Sequence, residues 1–325
     1  TSHGLAYDMS SFVDQCIDRY LELASQNVSA LRRAPTPRLD DATLSPDDWN
    51  TVGELATVSA KVIMKLLFVA RFYRYDLLYT VNTLARHMAK WNRACDKKLY
   101  RLVCYMRTTR SSQMYSVVND CLENCHLALF TDADFAGDTQ TSKSTSGCVV
   151  VLVGPRTWAP ISALCKTQSV VSTSSTEAEI ITLDTALRTE GLPILGFLQF
   201  LTGESSGAGG ASASSDISGQ SPNIRAMKGE VSDTVHQKTT STRENLGSEG
   251  QPLQTNVRPA AVKKQVTSMI VFEDNEAVIK IVLKKRSLAL RHVARTHRVA
   301  LDWTYEVFDN PDIHLRYCNT HDQVA

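Results

Sequence analysis

The stretch "LFTDADFAGD", Leu129 to Asp138, sets three aspartates within seven positions directly behind an apolar run. Carboxylates that close repel one another, so they are tolerated either as solvated turn residues or around a cation. Further acids stand where other runs begin or end: Glu179 in "SSTEAEIITL", Asp274 in "SMIVFEDN" and Asp322 in "THDQVA". If those ends converge, Asp132, Glu179, Asp274 and Asp322 offer the hard oxygen ligands that Mg²⁺ prefers. Two such ions about 4 Å apart are a device for in-line attack on a phosphodiester. Each acid alone also has a plain structural reading. Asp132 and Asp134 suit a turn, Asp274 an N-cap for a helix at Asn275, and Asp322 a solvated loop.

The pair Glu177 and Glu179 can be separated. Ser174-x-x-Glu177 is a capping box, in which Ser174 caps the Glu177 amide and Glu177 reaches back to the Ser174 amide. Glu179 lies about 200° around the helix from Glu177 and points elsewhere. Glu179 is therefore the better ligand of the two.

The elements that must position these acids follow from pattern. Residues 126–132, 146–154 and 156–165 read as strands, with Gly154-Pro155 as a turn. Residues 174–201 read as a helix, with a break expected at Pro193. A short apolar strand at 268–274, a helix at 275–285, a helical period over 288–309 and an alternating strand at 312–318 complete the order βββαβααβ. The expected class is α/β, a mixed sheet with helices packed on it. Acids at the ends of separate elements sit where open α/β sheets place their ligand sites.

Composition bounds the rest. The net charge is +1, so any basic surface must be local. Eight cysteines scattered through apolar runs suit reduced core thiols better than a disulfide framework. Cys121, Cys125 and His126 lack a second pair at finger spacing, which argues against zinc. No apolar run is long enough for a membrane span, so no membrane partner is expected. The chain opens at Thr1 and stops at Ala325 without a helix terminator, which reads as a fragment of something longer. Up to about residue 115 the pattern is helical. From 203 to 266 the chain is rich in Ser, Gly, Thr and Gln, and disorder is expected because such a segment buries too little apolar surface. The simplest organisation is a helical segment at 1–115 and one domain at 116–325 interrupted by that insertion.

The motifs "FTDADFAGDTQTSKSTSGCVVVL", "STSSTEAEIITL", "FEDNEAVIKI" and "THDQVA" resemble, in order, those of the ribonuclease H domain of Ty1/copia-type retrotransposon polyproteins. Upstream, residues 60–109 look like the end of that family's reverse transcriptase, the helical thumb and connection, without the polymerase's own YxDD aspartates. The resemblance implies a ribonuclease H-like mixed five-stranded sheet with flanking helices. It implies two-metal hydrolysis of the RNA strand of an RNA–DNA hybrid, with two Mg²⁺ ions (or Mn²⁺) held by Asp132, Glu179, Asp274 and Asp322. One ion would activate water and the other stabilise the leaving 3′ oxygen. Asp134 and Asp138 belong to the motif in supporting roles. Implied partners are the hybrid and the rest of the Pol polyprotein, polymerase and integrase. The implied location is a cytoplasmic virus-like particle, with the nucleus as a further compartment. Three departures stand out: the long 203–266 insertion, Ala159-Pro160 in place of a Ser pair, and the absence of the helix expected beyond Asp322.

For the substrate, Ser146, Lys166 and Gln168 are candidate backbone contacts. Lys90, Arg93, Lys97 and Arg101 fall within about 80° on a helical wheel, opposite Leu99, Leu102, Val103 and Met106. That stripe is either a solvated basic face or a phosphate-contacting one, the latter favoured by Trp91, Tyr100 and Arg107 nearby. Two other classes stay open: a catalytically inactive retrotransposon remnant that folds or binds nucleic acid, and another nuclease or integrase of the same fold class. Mg²⁺-dependent cleavage of a hybrid separates them.

Overall fold

Seven strands form one mixed sheet in the order β1-β2-β5-β4-β3-β6-β7. They are β1 (Gly4–Tyr7), β2 (Met114–Val117), β3 (His126–Asp134), β4 (Thr145–Gly154), β5 (Thr157–Thr167), β6 (Ser268–Glu273) and β7 (Ile313–Tyr317). The computed structural model describes residues 4–202 and 267–325, so the disorder expected at 203–266 lies outside the described residues. The described residues all belong to one unit, 1–205 with 264–325.

The strands β3, β4 and β5 are an antiparallel meander, and β6 and β7 join β3 in parallel. Parallel neighbours need crossovers. Helices α6 (Ser175–Ala186) and α7 (Leu192–Leu201) precede β6, and α8 (Glu276–Lys284), α9 (Val293–Thr296) and α10 (Leu301–Val307) connect β6 to β7. Before the sheet's centre come α1 (Ser10–Leu23), α2 (Pro46–Asn50), α3 (Ser59–Phe72), α4 (Leu78–Arg86) and α5 (Arg93–Thr108). Apolar side chains of α1, α3, α4 and α5 build one core, centred on Leu66, Leu84, Leu99 and Met106. Leu127, Leu129, Val150, Ile180, Leu183, Met269 and Val271 build a second, between sheet and α6. Each fully buried Leu or Ile contributes roughly 1.5–3 kcal/mol relative to exposure.

Three expectations are corrected. The sheet has seven strands rather than five, because the short segments at Gly4 and Met114 pair with each other and β2 meets β5 through Val117 and Trp158. The helix at 174–201 continues instead of breaking: Leu187–Gly191 forms a π-turn just before Pro193, whose ring lacks a donor. A Cβ on Gly191 would lie 2.9 Å from Leu129 Cδ2 and 3.1 Å from the Met269 sulfur, so the chain here lies directly against the sheet. Residues 288–309 are two short helices rather than one, separated by Arg298 at a left-handed φ of 57°. Among the described residues no helix is long and apolar enough to cross a membrane.

Candidate metal centre

Parallel pairing of β3 with β6 runs out at Phe130 opposite Phe272, while β3 continues beside β4 as far as Asp134 opposite Thr145. The two strands therefore part at their carboxyl ends, and Asp132 and Asp274 stand on either side of the gap. Alternation decides which side chains look inward. Met269, Val271 and Glu273 are buried on β6, and Asp274 follows where the strand has ended.

Helix α6 supplies the third acid. The Ser174 hydroxyl accepts the Glu177 N–H at 3.1 Å, as a cap should. The reverse half of the capping box does not form. The Glu177 carboxylate takes the Thr173 N–H at 2.8 Å and the Thr173 hydroxyl, and faces His292 and His297 at 3.1 and 2.9 Å. Burial alone would raise its pKa, but the Thr173 and His292 hydrogen bonds outweigh burial and lower it. Glu177 thus fastens the start of α6 to the segment after α8. Glu179, on another side of the helix, reaches the strand ends.

One carboxylate oxygen from each of Asp132, Glu179 and Asp274 lies within 4.8 Å of the others. Glu179 is 7% exposed, and its Oε2 is buried with no hydrogen-bond partner. Burial first, then Glu273, Asp132 and Asp274, push its pKa up to about 9. Burial, then Asp274, raise that of Asp132. Among the described residues no Lys, Arg or His forms an ion pair with any of the three. Three acids with no counter-charge and one orphaned oxygen suit a hard divalent cation.

Asp322 is placed elsewhere. It lies exposed in the turn Thr320–Asp322, outside the group of three. The turn itself is tied down. The Thr320 hydroxyl donates to Asp274 Oδ2 at 2.8 Å, and the Gln323 amide donates to the Thr131 carbonyl at 2.7 Å.

The other two aspartates of the opening stretch hold the helical part against the sheet. Asp134 accepts the Tyr79 hydroxyl at 2.7 Å and lies 3.9 Å from Arg38. Asp138 pairs with Arg86 at 3.1 Å and folds its own loop by accepting from Gln140 N–H and Thr141 hydroxyl. A Cβ on Gly137 would fall 1.9 Å from Asp134 Oδ2, so only glycine fits there.

The residues expected to touch nucleic acid divide. Lys166 is exposed near the end of β5, and Lys90 is exposed in a 3₁₀ turn that precedes α5 rather than on it. Ser146 and Gln168 are buried and bonded to each other and to Thr182, and with Lys166 they line a cavity of about 160 Å³. Lys97 pairs with buried Asp48 at 2.6 Å, Arg93 lies 3.7 Å from the same carboxylate, and Arg101 donates to the Thr36 carbonyl and hydroxyl. Trp91 donates to Asp96, Tyr100 to the Ala30 carbonyl and Arg107 to the Val28 carbonyl. The stripe faces residues 28–48 of its own chain and walls a cavity of about 550 Å³ with Arg32 and Arg33. Leu99, Leu102, Val103 and Met106 are fully buried on the opposite face, as their period indicates.

Sequence reasoning missed Glu273. It is completely buried, its Oε2 accepts the Thr131 hydroxyl at 3.0 Å, and its Oε1 accepts the Asn275 N–H at 3.2 Å. Burial is the main cause that pushes its pKa up to about 8. The signal was present in "MIVFED", where strict alternation turns the acid inward with Met269 and Val271.

The chain is 32% identical over 166 residues, 51% of its length, to the truncated transposon Ty1-A Gag-Pol polyprotein of Saccharomyces cerevisiae. The same identity and span relate it to the transposon Ty1-LR2 and TyH3 Gag-Pol polyproteins of that yeast. The chain is similar to Ty1 transposon polyproteins over about half of its length. It spans 13% of the truncated Ty1-A protein and 9% of the other two, each of which is by name a Gag-Pol polyprotein. No protein-family model matches the chain, and no solved structure matches it.

Proposed function

We propose that residues 116–325 are a ribonuclease H-type endonuclease domain of a Ty1/copia-type Pol polyprotein, which hydrolyses the RNA strand of RNA–DNA hybrids. Residues 1–115 are, in this reading, the carboxyl-terminal part of the reverse transcriptase. The observation that carries it is the convergence of Asp132, Glu179 and Asp274 within 4.8 Å, with Glu179 Oε2 left unpartnered. The sheet supports it, since a three-stranded antiparallel meander continued by two parallel strands suits the ribonuclease H-like class. So do the Ty1 Gag-Pol relatives.

The three acids would hold Mg²⁺ or Mn²⁺. When bound, such ions supply a nucleophilic water at neutral pH and neutralise charge on the leaving oxygen. The chain's own groups position and hold charge. The Thr320 hydroxyl fixes the Asp274 carboxylate from one side. Glu177, pinned to Thr173 and His292, sets the height of α6 and so of Glu179. A cavity of about 400 Å³ beside Asp132, lined also by Tyr79, Asp134 and Gly147, leaves room for the scissile strand. Asp322, the fourth acid in this reading, would have to reach the three from its exposed turn, which is tied to Asp274 through Thr320. Exposed Lys166 and Lys90 are the groups left to meet backbone phosphates, and recognition would be of 2′-hydroxyls and shape rather than sequence. The rest of Pol would be the chain's partner, in a cytoplasmic particle and in the nucleus.

The test is Mg²⁺-dependent cleavage of an RNA–DNA hybrid, with Asp132→Asn as control. Failure of the intact chain to cleave, or equal cleavage by the variant, overturns the reading. The placement of Asp322 outside the group of three favours a second reading, an inactive relative that binds hybrid without cutting it; retained binding with no cleavage would support that.

A further inference from the structure

The strand ends that carry Asp132 and Asp274 repeat one pattern in two layers. Thr131 precedes Asp132, and Glu273 precedes Asp274. Alternation sends the second member of each pair to the gap between the strands and the first member beneath it. In that lower layer the Thr131 hydroxyl donates to Glu273 Oε2 at 3.0 Å. Glu273 Oε1 accepts the N–H of Asn275, the residue after Asp274, at 3.2 Å. One carboxylate therefore grips the residue before one proposed ligand and the residue after the other.

Glu273 is completely buried, and among the described residues no Lys, Arg or His pairs with it. Both its hydrogen bonds come from uncharged donors, the Thr131 hydroxyl and the Asn275 N–H. An apolar side chain would fill that place at less cost than a buried carboxyl. What the carboxyl adds there is two acceptors, one for each strand end that carries a proposed ligand.

We propose that Glu273 is a positioning residue of the cation site, a buried carboxyl beneath Asp132, Glu179 and Asp274 whose two hydrogen bonds align both strand ends. The proposal rests on the reading of those three acids as a cation site. Groups that orient ligating carboxylates typically change metal affinity 10–100-fold when removed.

The experiment is calorimetric titration of the whole chain with Mn²⁺, with thermal unfolding in chelator run on every variant. Glu273→Gln keeps shape and one acceptor but replaces the other with a donor. It should weaken Mn²⁺ binding about 10-fold or more, without lowering the unfolding midpoint of the cation-free protein. Glu273→Asp keeps both acceptor oxygens and should retain more affinity than Glu273→Gln. Unchanged affinity in Glu273→Gln, or weaker binding by Glu273→Asp than by Glu273→Gln, overturns the proposal. So does a Glu273→Gln loss of affinity matched by a fall in the cation-free midpoint, which marks a role in folding alone. Asp132→Asn separates the two levels. If the intact chain binds no Mn²⁺, or Asp132→Asn binds as well as the intact chain, the cation site itself fails. If Asp132→Asn abolishes binding while Glu273→Gln binds normally, only the role of Glu273 fails.

Discussion

Replacing Asp132 with asparagine should stabilise the cation-free protein and destabilise it relative to the unaltered chain once a cation is present. The sign change follows from the geometry. Oxygens of Asp132, Glu179 and Asp274 approach within 4.8 Å with no basic side chain paired to them among the described residues. Two ionised carboxylates at such a distance repel by roughly 3 kcal/mol at an effective dielectric of about 20. Glu179, raised to about 9, carries a proton at neutral pH and drops out of that sum. Asp132 and Asp274 remain, both half-buried, and water on their open side screens the pair. A net relief of about 1 kcal/mol is left for Asp132→Asn, or roughly 2–4 °C in the midpoint for a chain of this size. With Mg²⁺ at about a hundredfold excess over its Kd, the unaltered chain gains about 2.7 kcal/mol and the variant little. The two melting curves should therefore cross over between chelator and excess Mg²⁺, as read by scanning calorimetry on both proteins. A lower midpoint for Asp132→Asn in chelator, or no shift of the unaltered chain by Mg²⁺, refutes the reasoning.

Two further outcomes follow from the same contacts. In chelator, stability should fall as pH rises from about 5 to about 9, because Glu179 and Glu273 start from 4.5 unfolded and are raised to about 9 and about 8 in the fold, so the folded state binds more protons across that window. A flat or rising midpoint over that range counts against the assignment, and excess Mg²⁺ should blunt the fall. Lys97→Glu should lower the melting midpoint, since it sets a carboxylate against buried Asp48, whose pKa Lys97 holds down to about 2; Lys166→Glu, at an exposed site, should leave the midpoint alone and weaken hybrid binding, and the opposite allocation would restore the stripe on α5 as the nucleic-acid face.

How much of this was legible depended on whether the deciding neighbour was near in sequence. Strands β3 to β7 and helices α6 and α8 announce themselves by alternation, caps and apolar period, which are local. The short strand Gly4–Tyr7 is exposed throughout and exists only because Met114–Val117 pairs with it across a hundred residues. The wheel over Lys90 to Arg101 correctly separated a buried face from a polar one, but period says nothing about what lies opposite. Asp48 and Thr36 lie there, supplied from well upstream. Lys90 was off the helix altogether, because Asn92 caps α5 one residue before Arg93. Of the four acids chosen by type and position, three are gathered. Asp322 is not, since its turn is set by Asn319 and Gln323, whose partners are backbone groups. Glu273 was legible in principle, but an acid inside an apolar strand reads as the strand's end unless the alternation is followed through it.

The stretch Leu129 to Asp138 carries three aspartates, and the fold treats them unequally. Asp134 and Asp138 are answered by the helical part, through Tyr79 and Arg38 for one and Arg86 for the other. Asp132, two residues from Asp134 on the same strand, meets no basic side chain among the described residues. Its neighbours across the gap are Glu179 and Asp274, with Glu273 below. Docking the helices on the sheet thus neutralises the peripheral acids of the loop and leaves negative charge concentrated where the strands part. Had Arg38 or Arg86 reached Asp132 instead, the same fold would be more stable without a cation and would have no reason to bind one. The helical part therefore serves the centre by what it pairs and also by what it leaves unpaired.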